Sequence, residues 1–254
     1  MSLVSGMELD AVAARLRTAR AAVVLTGAGM SAESGVPTFR GADGLWKRYS
    51  ATDLATPEAF ARDAALVWEW YRWRRGLIGR ARPNAGHRAL ARAEQAIPQL
   101  QLVTQNVDGL HQRAGSSRII ELHGNIWRAR CAGRCGAVID QSNDALDADA
   151  GSPLASVPLC ACGAQLRPDV VWFGEALDPD RLDRAVRAAQ ACDVLLAVGT
   201  SALVYPAAGL PSVASRAGAL VVEINIDDTP LTPLADVVLR GPAAEVLPAI
   251  EARL

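Results

Sequence analysis

Lysine is almost missing from this chain: Lys47 is the only one among 26 basic residues, and the other 25 are arginine. The protein therefore offers almost no lysine of its own for modification. Neither charge is in excess. The 26 basic and 27 acidic residues leave a formal charge of −1, so no broad basic field exists to hold nucleic acid or an anionic membrane. Long apolar runs are also absent, and none approaches the roughly 18 residues a membrane span needs. Met1 to Asp10 has no positive segment ahead of an apolar core, so no signal peptide is expected and the cytoplasm is the expected location. What remains is an ordinary soluble composition, half hydrophobic and 21% charged, over 254 residues. At roughly 150 residues per domain that is one to two domains. Nothing in the sequence demands an oligomer, and a monomer is expected.

Apolar strands alternate with helical stretches along most of the chain. Leu9–Ala19 reads as a helix and Ala22–Thr26 as a buried strand. Ala85–Ala96 is helical, Leu100–Thr104 and Arg118–Leu122 are strands, and Arg181–Ala191 is a helix. Val194–Val198, Leu220–Ile226 and Val237–Leu239 read as strands, with Tyr205–Ala217 and Ala243–Arg253 as helices. That order predicts an α/β fold with a parallel sheet covered on both faces. Two segments depart from it. Residues 45–80 are rich in tryptophan and arginine and read as helices broken by Pro57. Residues 124–170 hold four cysteines and a Ser/Asp/Ala-rich insert at 141–157. The expected organisation is one α/β domain built from 8–44, 81–123 and 171–254, with insertions at 45–80 and 124–170.

Three constellations carry chemistry. Gly27-Ala28-Gly29-Met30-Ser31-Ala32 fits G-x-G-x-x-A directly after a strand, where glycines let backbone N–H groups approach a pyrophosphate at a helix N-terminus. The acidic residue of an ordinary dehydrogenase, roughly 20 residues further on, is replaced by the loop Ser34–Gly41. A strand ending in an acid comes only at Asn225-Ile226-Asp227, so hydride transfer is disfavoured. Cys131, Cys135, Cys160 and Cys162 make two close pairs, C-x₃-C and C-x-C, which in a reducing compartment favour a closed structural zinc site over disulfides. Cys192 reads as a buried core thiol. The third constellation is Gln105-Asn106-Val107-Asp108 with His123. Both lie at strand C-termini, which line the ligand crevice of an α/β sheet. A neutral His123 can take a proton near pH 7, and Asn106 with Asp108 can pair with a carboxamide. His111 reads as a helix-surface residue and His87 as an ordinary helix residue near the Asn84 cap.

Taken together, residues 27–41, Thr104–His111, His123-Gly124, Val171-Trp172-Phe173-Gly174-Glu175, Gly199-Thr200-Ser201 and Asn225-Ile226-Asp227 resemble the sirtuin signature. The resemblance implies an NAD-dependent protein-lysine deacylase with a Rossmann-type large domain and a small zinc-binding and helical domain inserted. It implies NAD contacts from Gly27, Ala28, Gly29, Ser31, Glu33, Pro37, Phe39, Arg40, Gln105, Asn106, Asp108, Gly199, Thr200, Ser201, Asn225, Ile226, Asp227 and Ala243. It implies catalytic roles for His123, Asn106 and Asp108, with His123 as base on a ribose hydroxyl. The expected products are nicotinamide, free lysine and O-acyl-ADP-ribose. Val171–Glu175, Val204 and Tyr205 are expected to flank an acyl-lysine peptide lying as an added strand.

Tyr71-Arg72-Trp73-Arg74 with Ala55 is similar to the class III, desuccinylase-like branch. Tyr71 and Arg74 are i, i+3 and share a helix face. A phenol beside a guanidinium suits a carboxylate, and Ala55 leaves room for a longer acyl chain. Succinyl-, malonyl- and possibly glutaryl-lysine are the implied substrates, with acetyl-lysine slower. Arg72 and Arg75 read as solvated helix charges. A mono-ADP-ribosyltransferase and an inactive zinc-bearing binding module stay open as alternatives, the first separated by its product.

Overall fold

The computed structural model describes residues 5–37, 51–142, 154 and 156–254. Phe39, Arg40 and most of the 141–157 insert lie outside the described residues.

The first strand shows why a sheet forms and where its core sits. Strand β1 (Ala21–Thr26) is apolar through Leu25 and buried from its second residue on. It pairs in parallel with β2 (Gln99–Thr104) on one side and β7 (Val194–Val198) on the other. Outside β2 lies β3 (Ile119–Glu121), and outside β7 lie β8 (Leu220–Asn225) and β9 (Val237–Arg240). The spatial order is β3-β2-β1-β7-β8-β9. Side chains alternate across the sheet. Ala22 and Val24 pack under α1 (Gly6–Thr18), α5 (Ala85–Ala96) and α9 (Ala243–Glu251) through Leu16, Leu90 and Ile250. Val23 and Leu25 pack under α7 (Pro179–Ala191) and α8 (Leu210–Arg216) through Ala185, Ala189 and Leu210. Cys192 is buried in that second layer and donates to the Ala189 carbonyl. The order reverses between β1 and β7, and in such sheets ligands bind in the crevice beyond the strand C-termini at the reversal.

A second sheet is antiparallel, in the order β5 (Val138–Asp140), β4 (Gly124–Cys131), β6 (Leu166–Val170). Three helices cover it: α2 (Ala51–Leu54), α3 (Pro57–Arg62) and α4 (Ala64–Arg80). Their shared core holds Phe60, Trp68, Trp70 and Tyr71 against Ile126, Leu166 and Trp172. Trp68 anchors the contact by donating from Nε1 to the Leu166 carbonyl at 2.8 Å.

Several sequence expectations need refinement or correction. Pro57 does separate two helices, α2 and α3, and it opens the second: Thr56 caps Ala59 N–H at 3.0 Å, and a proline at the first helical position loses no hydrogen bond. The stretch 205–217 is a short 3-10 turn (Ala207–Gly209) followed by α8, with Pro211 in the first turn. Arg72 and Arg75 are buried, not solvated. Arg75 donates from Nε to the Ile126 carbonyl at 2.6 Å and from Nη2 to Gln141 Oε1 at 3.0 Å, pinning α4 to β4. A guanidinium has five donors, so it can join several main-chain carbonyls that no apolar residue could satisfy.

Candidate active site

Strand β1 runs into Gly27, and the chain turns into a 3-10 helix, Ala28–Ser34. Backbone crowding sets this turn. Gly29 N–H donates to the Gly199 carbonyl at 2.8 Å. A Cβ on Gly27 would stand 2.8 Å from that same oxygen, and one on Gly29 2.8 Å from Gly199 Cα. Gly199 has φ +55°, and its Cβ would come 2.5 Å from Met30 N. The loops after β1 and β7 thus touch main chain to main chain.

Ser31, on this turn, gathers the expected carboxamide-reading residues. Its hydroxyl donates to Asp108 Oδ2 at 2.8 Å, and Asn106 Nδ2 donates to Ser31 Oγ at 3.3 Å. Asn106 Nδ2 also donates to the Gly27 carbonyl at 2.9 Å. The second Asp108 oxygen accepts Leu110 N–H at 2.8 Å, capping the single turn α6 (Leu110–Arg113). Burial raises the Asp108 pKa, while the Leu110 N–H and Ser31 bonds oppose it.

Behind Ser31 stand the other two histidines, which the sequence reading placed in ordinary helix positions. His111 is 1% exposed, with Nε2 3.1 Å from Thr26 Oγ1, which in turn donates to Thr104 Oγ1. The correction has a simple cause: α6 is one turn long, with Leu110 and His111 turned in against the sheet ends and only Gln112 and Arg113 exposed. His87 is fully buried against His111, ring centroids 4.8 Å apart, with Nε2 3.5 Å from Ser31 Oγ. Its Nδ1 accepts the Asn84 N–H, so the Asn84 cap is reciprocal. Burial holds the His87 pKa down at about 4 and that of His111 well below the ordinary 6.5.

His123 follows β3 and is half-buried, with Nδ1 2.9 Å from the Gln105 carbonyl. Its own carbonyl accepts Val171 N–H. Burial lowers its pKa, and the bond to Gln105 partly opposes that shift. On the far side, Gln105 Nε2 donates to Thr200 Oγ1 at 3.0 Å and Asn225 Nδ2 to the Thr200 carbonyl at 2.9 Å. Ser201 is half-buried beside them, and Ile226 and Asp227 are exposed. Glu33 and Pro37 are exposed and Ala243 is buried at the start of α9; among the described residues none of the three hydrogen-bonds to this cluster.

The segment after β6 forms the next wall. Phe173, Val204 and Tyr205 are exposed, and Val171 is half-buried. Glu175 turns inward: its carboxylate takes Arg167 Nη2 at 2.9 Å and Trp172 N–H at 2.8 Å. Phe173 N–H donates to the carbonyl of Ala55, the residue after α2, at 2.9 Å. Tyr71 is fully buried, and its hydroxyl accepts from Trp172 Nε1 at 2.9 Å. The Arg74 guanidinium lies 4.9 Å over the Trp70 ring and 5.8 Å from the Tyr71 ring. Sequence reading missed Arg167, His87 and His111 as partners here; only the tertiary contacts bring them in.

The four cysteines beyond β4 converge, their sulfurs all within 4.8 Å of one another. Cys131–Cys162 and Cys135–Cys160 are each 3.5 Å apart, and none is in a disulfide. Zn–S bonds of about 2.3 Å in a tetrahedron put sulfurs about 3.7 Å apart, so the donor set fits zinc despite its irregular spacing. Backbone N–H of Ala164 chiefly draws Cys162 down to about 7, toward the thiolate a metal needs.

The chain shares its family and fold with known proteins. Residues 27–206 match the Sir2 family. A Pyrobaculum aerophilum protein named NAD-dependent protein deacylase 2 is 57% identical over 239 residues, 93% of this chain and 92% of that protein. The crystal structure of a Sir2 homolog–NAD complex superposes with a TM-score of 0.87 at 46% identity, covering 96% of this chain and 92% of that one. A Sir2Af2 structure bound to a myristoylated histone peptide superposes with a TM-score of 0.78 at 33% identity, covering 98% and 97%. Among the described residues no helix is long and apolar enough to cross a membrane.

Proposed function

The chain belongs to the Sir2 family of NAD-dependent protein deacylases, and from that premise we propose that it removes acidic acyl groups, succinyl and malonyl foremost, from protein lysines. NAD, when bound, supplies a ribosyl electrophile and nicotinamide as leaving group. The chain's own residues do the rest. Gly27, Ala28, Gly29 and Ser31 would line the diphosphate site, and Gly199, Thr200, Ser201, Asn225, Ile226 and Asp227 would meet the far ribose and adenine. Asn106 and Asp108, fixed through Ser31, read the carboxamide. His123 uses Nε2 to take a proton from a ribose hydroxyl.

The acyl preference is carried by one observation: a fully buried phenol and a half-buried guanidinium on one turn of α4, beside the small Ala55. That pair offers charge, a planar fork and one further hydrogen bond to an acyl carboxylate. Cys131, Cys135, Cys160 and Cys162 would hold a zinc in a closed four-sulfur shell with no open position for substrate, tying the end of β4 to the segment before β6. Phe173, Val204 and Tyr205 border the acyl-lysine peptide.

The test is incubation with NAD⁺ and matched succinyl- and acetyl-lysine peptides, followed by mass spectrometry. Faster formation of O-succinyl-ADP-ribose is expected. Faster deacetylation overturns the acidic-acyl assignment alone. NAD⁺ consumed onto protein without deacylation turns the reading toward ADP-ribosyl transfer.

A further inference from the structure

We propose that Trp172 sets the specificity of the acyl pocket by fixing the direction in which the Tyr71 hydroxyl donates. This rests on the acidic-acyl reading above. Trp172 Nε1 lies 2.9 Å from Tyr71 Oη, in a contact closed to solvent. An indole N–H can only donate, so the phenol oxygen must accept there. The phenol's own hydrogen is turned away from the indole, and among the described residues it meets no acceptor. A buried donor without an acceptor is costly. A carboxylate, which in its ionised form only accepts, removes that cost; the methyl of an acetyl group leaves it in place.

The device depends on the indole being held. Its ring sits 5.3 Å from the Phe60 ring, and the Arg167 guanidinium stacks 3.3 Å from its centroid. Arg167 is fixed by Glu175, which also takes the Trp172 main-chain N–H. A cation on the face draws electron density from the indole and makes its N–H a better donor. Trp172 is therefore a positioning residue that acts through Tyr71, with Arg167 and Glu175 behind it.

The test is a double-mutant cycle on kcat/KM with succinyl- and acetyl-lysine peptides, using Trp172→Phe, Tyr71→Phe and the pair. Trp172→Phe is expected to lower the succinyl-to-acetyl ratio about fivefold to tenfold, a lost hydrogen bond's worth. The same change is expected to add nothing once Tyr71 is phenylalanine. Equal loss on both substrates, or full additivity, overturns the proposal. A second readout needs no activity and no folded Trp172 variant. In ¹H–¹⁵N spectra of the tryptophan indoles, Tyr71→Phe should shift one buried indole N–H resonance upfield; an unmoved set overturns the hydrogen bond itself. Wild-type preference for acetyl overturns the acidic-acyl reading, whereas succinyl preference untouched by Trp172→Phe overturns only the role given to Trp172.

Discussion

His123 Nδ1 stands 2.9 Å from the main-chain oxygen of Gln105. A carbonyl oxygen only accepts, so Nδ1 carries the hydrogen and Nε2 keeps its lone pair. One backbone contact thus selects the tautomer that can act as base. His123→Ala should lower kcat by about 10²–10⁴-fold, with circular dichroism and thermal midpoint unchanged. Near-wild-type turnover in a folded variant would remove His123 from the reaction.

The same residue predicts a pH profile. Burial lowers its pKa below the ordinary 6.5. The neutral form is the working form, and it persists as long as pH exceeds the folded pKa. The acidic limb of kcat/KM should therefore fall below pH 6.5. A limb centred above 7 contradicts a buried neutral His123.

Arg74→Met tests the carboxylate reader. A hydrogen bond to a charged partner contributes about 1.5–3 kcal/mol, so desuccinylation should drop about 10- to 100-fold in kcat/KM and deacetylation much less. Equal losses would make Arg74 a packing residue of α4.

His87 predicts a stability change with pH. Its folded pKa, about 4, lies below the unfolded value of 6.5. Between those values the unfolded chain binds a proton that the folded chain refuses, so stability rises with pH across that window and is lost as pH falls through it. The full effect is about 3 kcal/mol. Thermal midpoints should fall between pH 7 and 4.5, and less steeply in His87→Gln. Parallel curves would place the titration elsewhere.

Metal removal should act on the small sheet first. Chelation, or Cys131→Ala, should release about one zinc per chain and lower the thermal midpoint, because metal binding is folding free energy for such modules. Absence of bound zinc in freshly purified protein, with stability unmoved by chelator, would refute the site.

The sheet was legible because Ala22–Leu25 and Val194–Val198 are unbroken apolar runs of strand length, and a strand buried on both faces can hardly read otherwise. The placement of His123 and Asn106 just past strand ends was legible for the same reason. His111 was not, since nothing in Leu110–Arg113 says that this turn is packed under Thr26. Arg75 was misread because local sequence shows its charge but not the carbonyls of Ile126 and Arg128 that surround it. Glu175 looked like part of a peptide-facing motif, yet its partner Arg167 comes from the strand before. Side-chain direction in such loops is decided by contacts that periodicity does not encode.

The parallel order β3-β2-β1-β7-β8-β9 has a consequence for how the chain comes to be folded. The central strand leaves the ribosome early, at residues 21–26, but its partner β7 follows only at 194–198. Until then one edge of β1 lies open, and the helical and cysteine-bearing segments are made in the interval. Those segments have their own core and can close during synthesis, while the large sheet must wait for the last third of the chain. Such long-range pairing slows folding and leaves an edge of unpaired N–H and C=O groups open for most of translation. A ribosome stalled before residue 194 should carry a protease-resistant small sheet and a protease-sensitive β1.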